Sequence, residues 1–490
     1  MTVNRERTPF YLLNIQLIPD TNLSGFFFHL GISPTYYIIK YFKGGIYMYY
    51  YYENKSLDKL PIVLLPGLFG SLGDDILPGT GKFSFGMAEH VYRPLIDILK
   101  ELGYKEGEDL FIAYYDWRKG CEYNTEKYLI PKIEEAKRVT RMDKVDVIGH
   151  SLGGLVARTY IQGALYNGDI RNLIMIGTPN SGAVNAYYFW SGGQMPYDKL
   201  EKNIIFQLLK IGFLWIYRFL YGEIGDVTML RELFPVAEEL LPSYEYGNYL
   251  FYDDKGGIKK PVAITQMESV NKHLNQINRT KHLVFSRGVL PYHIIGTGLE
   301  TTDIICVDRN GDGLNKWFDG KPIYSISMPY GDGTITMSSA ESVYSKNYYL
   351  NSNHGDILKK TKDILASILM RPDVPKKDSK GVTGSDYMYS IIVKDGSISK
   401  IHFADKEKDL KISGSLNAKN LISKKIGENL NWVMLSSKGK EKLELEIKAE
   451  NDKNYEVLVF FAEKNGKVEM VRKSFSSKNT SITLLGASYL

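Results

Sequence analysis

VDVIGHSLGGLVARTYI, residues 145–161, is the stretch that determines the fold prediction. A β-branched run leads into the pattern G-x-S-x-G, with Ser151 between Gly149 and Gly153, and a helix-compatible run follows. Such a turn holds its serine in a strained backbone conformation, and glycines let neighbouring backbone come close. The context therefore predicts a strand, a sharp turn and a helix, with Ser151 presented at the turn as a nucleophile.

Further short apolar strands lie on both sides of this stretch, and each ends at Gly, Pro or a polar turn. Amphipathic helical segments such as residues 90–103 lie between them. This alternation predicts an α/β fold with a largely parallel open sheet, which binds ligands at the carboxyl ends of its strands. The predicted strands are LPIVLLPG (60–67), DLFIAYYDW (109–117), DKVDVIGHS (143–151), RNLIMIGTP (171–179) and LPYHIIGTG (290–298).

Changes in composition divide the chain into segments. A stretch rich in Pro, Lys, Gly and Ser predicts a linker, and beyond it residues 442–450 alternate strictly while Asn465-Gly466 is a hairpin signal. We predict an N-terminal extension of uncertain status (1–57), an α/β domain (58–372) with a helical lid or cap insertion (183–290), a linker (373–384) and a small all-β domain (385–490).

The overall composition is that of a globular protein of several domains, with 490 residues, 44% hydrophobic and 24% charged. A net charge of +5 over this length does not favour a nucleic-acid partner. The two cysteines, Cys121 and Cys306, form no disulfide framework and no CxxC or Cys/His motif. No signal peptide or membrane span is recognisable, which predicts a cytoplasmic or peripherally membrane-associated protein.

A serine nucleophile needs a histidine base, and in α/β folds of this kind the order is serine, acid, histidine. His150 adjoins the nucleophile and is expected to point away from it. His354 lies in a loop after the last predicted core strand and before a helix, where the base is expected. The other downstream histidines are His273, His282, His293 and His402, of which His293 lies inside a predicted strand.

The acid that orients this histidine is predicted to be Asp332, in the Gly-flanked turn YGDGTITMSSA only 22 residues before His354. An ordinary Asp-Gly turn is the alternative interpretation of this sequence. Asp303 and Asp308 are the fallback acids.

Two backbone amides are expected to bind the oxyanion that forms when a serine attacks a carbonyl. The amide of Leu152 follows the nucleophile directly. The second amide is expected in the loop LLPGLFGS, residues 64–71, most simply that of Leu68.

Six motifs occur in one order, and together they resemble the lecithin:cholesterol acyltransferase-like family of lipases, phospholipases and acyltransferases. They are PIVLLPGLFGS, YYDWR, VIGHSLGG, GTPNSG, LFPVAEELLPSY and YGDGTITMSSA. The resemblance covers roughly residues 60–370 and implies an α/β-hydrolase fold with Ser151, Asp332 and His354 as catalytic triad. The segment before YYDWR is short and lacks the cysteine pair of larger members, which favours ester hydrolysis over acyl transfer. Asp116, Trp117 and Arg118 are interpreted as a structural strand-end pairing.

DRNGDGLNKWFD, residues 308–319, places Asp308, Asn310, Asp312 and Asp319 at the spacing of a calcium loop. Strand-like flanks replace the two helices of an EF-hand, and the twelfth position is Asp instead of Glu. We expect a hairpin turn and no cofactor, with bound calcium as the alternative.

IIFQLLKIGFLWIYRFLYG, residues 204–222, has the apolarity of a membrane span but lies between Ser151 and the other two predicted triad residues. A span here would place them on opposite sides of a bilayer. We therefore predict a lid helix, with Phe213 and Trp215 against an acyl-binding trough and Lys210 and Arg218 at a lipid interface.

The leading hypothesis is a serine carboxylester hydrolase, a lipase or esterase that cleaves acyl-lipid esters through an acyl-enzyme. An O-acyltransferase or phospholipase with the same triad is the alternative. A non-catalytic lipid-binding or surface-adhesion protein is the hypothesis from another class. The expected partners are an ester substrate and a lipid interface, without nucleic acid.

Overall fold

The computed structural model describes residues 25–29, 35–42, 45–52, 59–193, 204–222, 227–253, 259–308, 316–369, 387–403, 408–411, 416–418, 421–437, 442–450, 454–463, 468–476 and 480–489. The predicted linker at 373–384 and the Asn465-Gly466 turn lie outside these residues.

The strands are, in chain order, β1 Gly25–His29, β2 Thr35–Phe42, β3 Gly45–Tyr52, β4 Ile62–Leu65, β5 Leu110–Ile112, β6 Val145–His150, β7 Ile170–Ile176, β8 Leu250–Asp253, β9 Lys259–Pro261, β10 Leu290–Thr297, β11 Thr301–Asp308, β12 Lys321–Met328, β13 Lys346–Asn351, β14 Tyr387–Lys394, β15 Gly396–Phe403, β16 Lys408–Lys411, β17 Leu416–Ala418, β18 Leu421–Ile426, β19 Leu430–Ser437, β20 Lys442–Ala449, β21 Tyr455–Glu463, β22 Val468–Phe475, β23 Thr480–Leu485 and β24 Ser488–Tyr489.

The α-helices are α1 Glu89–Glu101, α2 Cys121–Asn124, α3 Ile130–Thr140, α4 Leu152–Gln162, α5 Ala186–Gly192, α6 Ile204–Tyr221, α7 Val227–Leu233, α8 Val236–Glu239, α9 Lys272–Arg279, α10 Leu283–Ser286, α11 Met337–Ala340 and α12 Lys362–Ile368. Short 3-10 turns cover Gly86–Ala88, Ile264–Gln266 and Asp356–Lys360, and a π-helical turn covers Thr125–Leu129.

A parallel six-stranded sheet carries the site, in the order β13-β10-β7-β6-β4-β5. All five strands predicted from the sequence are members, and they are almost wholly buried because helices cover both faces. The chain runs from β4 to the edge strand β5 and returns to β6 on the other side of β4. In open α/β sheets, ligands bind at the carboxyl ends of the strands where the strand order reverses, here β4 and β6.

The helix α1 shows why the local pattern predicts the element. Its apolar positions Val91, Leu95, Ile98 and Leu99 are buried, and Leu102 caps its end. Apolar residues at three- and four-residue spacing form one stripe, so this helix packs on the sheet. The α/β-hydrolase architecture expected from the sequence is confirmed.

The chain between β7 and β10 contributes helices α5 to α10 and two short strands. The strands β8 and β9 join β11 and β12 in a second sheet of order β12-β11-β8-β9. A helical insertion was expected, and β8 and β9 were not, because they are short and β8 pairs in parallel with β11, which comes later in the chain.

The C-terminal strands form two packed antiparallel sheets, of orders β17-β18-β19-β14-β21-β22 and β16-β15-β20-β23-β24. Tyr389, Ile391 and Val393 face the core between the two sheets. Met388 and Ile392, on the other face of β14, belong to the same apolar cluster as the hydrolase core. The all-β part therefore docks on the hydrolase through one sheet face.

The N-terminal segment also contains a sheet. The strands β1, β2 and β3 pair antiparallel in that order. No helix within the described residues is long and apolar enough to cross a membrane, α6 included.

Candidate active site

Ser151 lies at the sharp turn between β6 and α4, as the sequence pattern predicts. Its backbone angles are φ 53° and ψ −123°, and its N–H donates to the carbonyl oxygen of Ile176 at 2.8 Å. A Cβ on Gly149 would lie 2.6 Å from the backbone of Gly154, and one on Gly153 would lie 2.6 Å from the carbonyl oxygen of Leu65. The two glycines are required because main chain passes within contact distance of both.

His354 and Asp332 extend from Ser151 in one hydrogen-bonded line. His354 Nε2 lies 2.9 Å from Ser151 Oγ, and His354 Nδ1 lies 2.6 Å from Asp332 Oδ2. The side chains of His354 and Asp332 are 5% and 1% exposed, so water does not compete for this contact. The structure thus brings together the three residues singled out in the sequence, with the nucleophile, base and acid geometry of a serine hydrolase.

The loop of Asp332 fixes its carboxylate by backbone donors. Asp332 Oδ1 accepts from the N–H groups of Thr334 at 2.9 Å and Ile335 at 2.7 Å, which leaves Oδ2 for His354. The N–H of His354 donates to the carbonyl oxygen of Asp332 at 3.0 Å, so the two loops are also joined through the main chain. These bonds hold the imidazole in one orientation.

The other candidate residues have partners elsewhere. His293 is buried, its Nε2 accepts from the Thr178 N–H at 3.1 Å, and its Nδ1 lies 3.0 Å from the carbonyl oxygen of Ala340. Burial lowers the pKa of His293 to about 3, so it is a neutral packing residue near pH 7. Of the other histidines, His273 contacts Thr159, His282 is exposed beside α10, and His402 lies in β15. Of the fallback acids, Asp303 accepts from Tyr246 Oη at 2.8 Å, and Asp308 is exposed at the end of β11.

The two predicted oxyanion donors, the amides of Leu68 and Leu152, belong to segments that adjoin Ser151. Leu152 is the first residue of α4, so its amide lies at the helix end where backbone N–H groups are free to bind an anion. Leu68 follows Gly67, where a Cβ would lie 2.8 Å from the Cβ of Ser151. The loop that carries Leu68 is therefore packed directly against the nucleophile.

The D-W-R segment anchors this loop. Trp117 Nε1 donates to the carbonyl oxygen of Ser71 at 2.8 Å, and Tyr115 Oη donates to that of Pro66 at 2.6 Å. The Arg118 guanidinium binds both carboxylate oxygens of Asp116, at 2.8 and 2.7 Å. These contacts agree with a structural role for Asp116, Trp117 and Arg118.

A buried network behind the nucleophile joins all three loops of the site, and the sequence did not indicate it. His150 Nε2 lies 3.1 Å from the carbonyl oxygen of His354, and its Nδ1 lies 3.0 Å from Tyr92 Oη. The Gly67 N–H donates to Tyr92 Oη at 2.7 Å. A carbonyl can only accept, so Nε2 of His150 carries the proton and Nδ1 accepts from the phenol.

Burial and the nearby His354 lower the pKa of His150 to about 3. The ring therefore stays neutral near pH 7, as this hydrogen-bond pattern requires. The His150 ring lies 5.0 Å from that of His354, and its two nitrogens contact Tyr92 and the His354 main chain. Tyr92 gave no signal in the sequence, because it is one aromatic residue in an amphipathic helix.

The helix α6 covers the loop of Leu68. Phe213 is 2% exposed, and its ring stacks on that of Phe69 at a centroid distance of 5.4 Å and meets the Trp117 ring at 5.0 Å. Since Phe69 adjoins Leu68, the helix lies over this side of the site, which agrees with a lid position.

Trp215 lies elsewhere than predicted. Its ring is 6.4 Å from that of Phe460 in β21, and the guanidinium of Arg472 lies 5.3 Å from its centroid. Two residues along a helix turn the side chain by about 200°, so Phe213 and Trp215 point to opposite sides. The prediction that both line one trough is therefore corrected, because Trp215 contacts the all-β part. Arg218 is exposed and stacks on Trp215 at 5.0 Å; the side chain of Lys210 is not described.

The calcium-like stretch lies in a β-hairpin, because Asp308 at the end of β11 pairs with Lys321 at the start of β12. Asp319 is buried, and its carboxylate accepts from the N–H groups of Glu268 at 2.7 Å and Ser269 at 2.9 Å. Asn310 and Asp312 lie outside the described residues. The carboxylate of Asp319 thus has a structural role in joining the hairpin to the insertion.

Comparison with known families supports the resemblance inferred from the motifs. The family model described as lecithin:cholesterol acyltransferase matches residues 80–220, which include Ser151 but neither Asp332 nor His354. Phospholipase A(1) LCAT3 of Arabidopsis thaliana is 25% identical over 293 residues, which are 52% of this chain and 63% of that protein. The chain thus matches less than two thirds of this relative's length. The resemblance to the lecithin:cholesterol acyltransferase-like family is confirmed by these two matches.

Solved structures with a similar chain course include a lipase of Bacillus licheniformis in its propeptide form. It is 12% identical, covers 88% of this chain and 95% of its own, and has a TM-score of 0.35. The phospholipase PlaB of Legionella pneumophila is 10% identical, with 86% and 91% coverage and a TM-score of 0.32. Similarity at this level does not extend to substrate or mechanism.

Proposed function

We propose that this lecithin:cholesterol acyltransferase-like chain is a serine carboxylester hydrolase that cleaves acyl-lipid esters through an acyl-enzyme intermediate. The observation that carries the proposal is the line of hydrogen bonds from Ser151 through His354 to Asp332, at 2.9 and 2.6 Å. A serine hydroxyl becomes a strong nucleophile when an oriented imidazole accepts its proton. A lipid-binding protein without catalysis would have no need of this arrangement.

In the proposed reaction Ser151 Oγ attacks the ester carbonyl while His354 Nε2 takes the hydroxyl proton. Asp332 stabilises the imidazolium, and the amides of Leu68 and Leu152 bind the oxyanion. The carbon–oxygen bond to the alcohol then breaks, and His354 returns the proton to the leaving alcohol. Water, deprotonated by His354, releases the acid and restores Ser151.

An acyl chain is the substrate part that the surroundings of the site fit best. Phe69, Phe213 and Trp117 form an aromatic group next to the loop of Leu68. Apolar surface that closes over a polar reaction centre favours long acyl chains over small esters. The Arabidopsis relative is named a phospholipase, which agrees with an acyl-lipid substrate class.

A chain-length series of p-nitrophenyl esters tests this function with wild type and Ser151→Ala. We expect Ser151→Ala to lower kcat by about 10³-fold or more, because the remaining catalysis comes only from the oxyanion donors and binding. Ser286→Ala is the matched control, since Ser286 is an exposed serine of α10. A fluorophosphonate should label wild type at Ser151 alone.

Full activity of Ser151→Ala would refute the proposed mechanism. Turnover restricted to acetyl and butyryl esters would refute the acyl-lipid substrate class and leave a small-ester esterase.

Acyl transfer to an alcohol is the second candidate function, favoured by the match of residues 80–220 to an acyltransferase family. It uses the same acyl-enzyme, with an alcohol in place of water in the second step. A phospholipid supplied with a long-chain alcohol distinguishes the two, since transfer gives a new ester and hydrolysis gives only free acid.

A further inference from the structure

A second group of chemically reactive side chains lies where the insertion joins the hydrolase core. Within the described part of the chain, one set of His, Cys, Asp and Glu side chains has donor atoms close enough to hold a metal ion. The set is Cys121, Glu239 and His273, whose donor atoms all lie within 4.8 Å of one another. The three residues come from α2, α8 and the start of α9, so no local sequence motif announces them.

The spacing of the three donors suits an ion of zinc's size. An ion at the centre of a triangle with 4.8 Å sides lies about 2.8 Å from each corner, and side-chain shifts of less than ~1 Å reach ordinary zinc bond lengths. Sulfur, imidazole nitrogen and carboxylate oxygen are the three ligand types that zinc accepts together.

The orientation of His273 matches that of a metal-bound histidine. Its Nε2 lies 2.9 Å from Thr159 Oγ1, and the same hydroxyl contacts the Cys121 thiol, so Nε2 faces the cluster. Its Nδ1 faces the carboxylate of Glu122 at 4.0 Å, which is longer than a hydrogen bond. Glu122 thus lies on the side where the second nitrogen of a metal-binding histidine usually has a carboxylate partner.

The carboxylate of Glu239 is held against the cysteine. Glu239 Oε2 accepts from the Cys121 N–H at 2.7 Å. A Cβ on Gly120 would lie 2.5 Å from Glu239 Oε1, so the carboxylate packs directly against the backbone of Gly120. A carboxylate and a thiol are thereby brought together at one point inside the protein.

Charge gives a reason for a cation at this point. Cys121 is buried, and its sulfur lies within 4.8 Å of the Glu239 carboxylate. A divalent cation suits this point, because one thiolate and one carboxylate neutralise its two charges.

We infer that Cys121, His273 and Glu239 bind a zinc-class divalent cation, with water as fourth ligand. The ion fastens α8 and α9, which belong to the insertion, to α2 of the core. It has no part in the proposed ester chemistry, and this inference stands whether or not that chemistry is correct.

Cobalt(II) is the probe for this site, because its absorption spectrum reports both thiolate ligation and tetrahedral geometry. The chelator-treated full chain should bind one Co²⁺ with a thiolate-to-metal charge-transfer band and intense visible bands, which Zn²⁺ displaces. Cys121→Ser should abolish the charge-transfer band. Cys306→Ser, which removes the other buried free thiol, should leave it unchanged.

Two further variants complete the test. Glu239→Gln keeps an oxygen for the Cys121 N–H but removes the charge, and we expect it to weaken Co²⁺ binding at least tenfold, as should His273→Ala. Zn²⁺ should raise the melting temperature of wild type and Ser151→Ala but not of Cys121→Ser. The inference is overturned if wild type shows no thiolate band. It is also overturned if the band persists in Cys121→Ser, or if Glu239→Gln keeps the band and binds Co²⁺ with unchanged affinity.

Discussion

His150 is the residue through which the nucleophile, the base and the oxyanion loop are joined. It is the last residue of β6, it contacts the main chain of His354, and through Tyr92 it is linked to the main chain of Gly67. None of these contacts touches a substrate atom. Small displacements of catalytic groups cost rate far more than they cost stability, so His150 and Tyr92 are positioning residues.

Tyr92→Phe tests this positioning role with little change in shape. The substitution leaves the Gly67 N–H and His150 Nδ1 without their buried partner, so the loop of Leu68 shifts and kcat falls about tenfold while KM changes little. His150→Ala should lower kcat by a similar or larger factor. The measurement is steady-state kinetics with one short and one long ester.

The double variant separates a shared network from two independent losses. If the residues act through one network, Tyr92→Phe adds almost nothing in a His150→Ala background. Additive losses, or a rise in KM with kcat unchanged, would contradict the positioning role. Tyr166→Phe is the control, because Tyr166 Oη donates to the main chain of Ile170 at the start of β7, and the site lies at the other end of the strands.

Individual residues of the site could be predicted where chemistry and local pattern coincide. Ser151 lies in a five-residue turn motif, and Asp332 and His354 lie in polar loops in the expected order. His150 and Tyr92 could not be predicted, because their role arises from contacts between residues 58 positions apart. The cluster of Cys121, Glu239 and His273 could not be predicted for the same reason.

At the scale of elements, the packing of α6 accounts for its unusually apolar sequence. An 18-residue helix this rich in apolar residues must be covered over most of its surface. Phe213 packs between Phe69 on the hydrolase and Trp432 on β19, at 5.4 and 5.1 Å. Gly212, unfavourable in a helix, leaves space for the Trp432 indole, which a Cβ there would approach to 2.3 Å.

The two sides of α6 are expected to differ in function. Phe213→Ala opens a space next to the loop of Leu68, so turnover of long-chain esters should fall about tenfold more than turnover of short-chain esters. Trp215→Ala loses contacts with Phe460 and Arg472 and should lower the melting temperature without changing chain-length preference. The measurements are turnover of a chain-length series of esters and the melting temperature of both variants. Equal losses of turnover on short and long esters in Phe213→Ala would exclude a lid role.

The core strands and α6 could be predicted because each is a continuous apolar run in the local sequence, and each core strand ends at Gly, Pro or a polar turn. The strands β8 and β9 could not, since four and three residues hold no period and their pairing depends on β11.

At the scale of the whole molecule, buried neutral histidines make stability depend on pH. Burial lowers the pKa of both His150 and His293 to about 3, against 6.5 for the unfolded chain. The folded state then binds fewer protons than the unfolded chain. The stability that each neutral histidine contributes is therefore complete above pH 6.5 and is lost as pH falls toward 3. Between pH 7 and pH 5 each histidine should cost about 2 kcal/mol of folding free energy.

Urea unfolding of wild type and His293→Asn at pH 7 and pH 5 measures this. The variant is expected to be less stable than wild type at pH 7, because Asn fills the site poorly. Between pH 7 and pH 5 the variant should lose less free energy of unfolding than wild type, by about 2 kcal/mol. An identical pH dependence in the two proteins would rule out a neutral His293.

The docking of the all-β part on the hydrolase is the feature that the sequence indicated least. The polar linker predicts two separate domains, but α6 contacts β14 and β21, and one sheet face of the all-β part belongs to the apolar cluster of the hydrolase. The run YMYSIIVK in β14 is buried on both faces, a pattern expected of an inner strand and not of a solvent-exposed sandwich face.

The order of synthesis gives this docking a further consequence. The ribosome makes α6 about 240 residues before it completes β21, which at ordinary elongation rates is about 10 to 50 s. During that interval the side of the helix that carries Trp215 has no cover. Nascent chains that stop before β14 therefore expose an apolar helix, and they are the species that chaperones must hold or that aggregate.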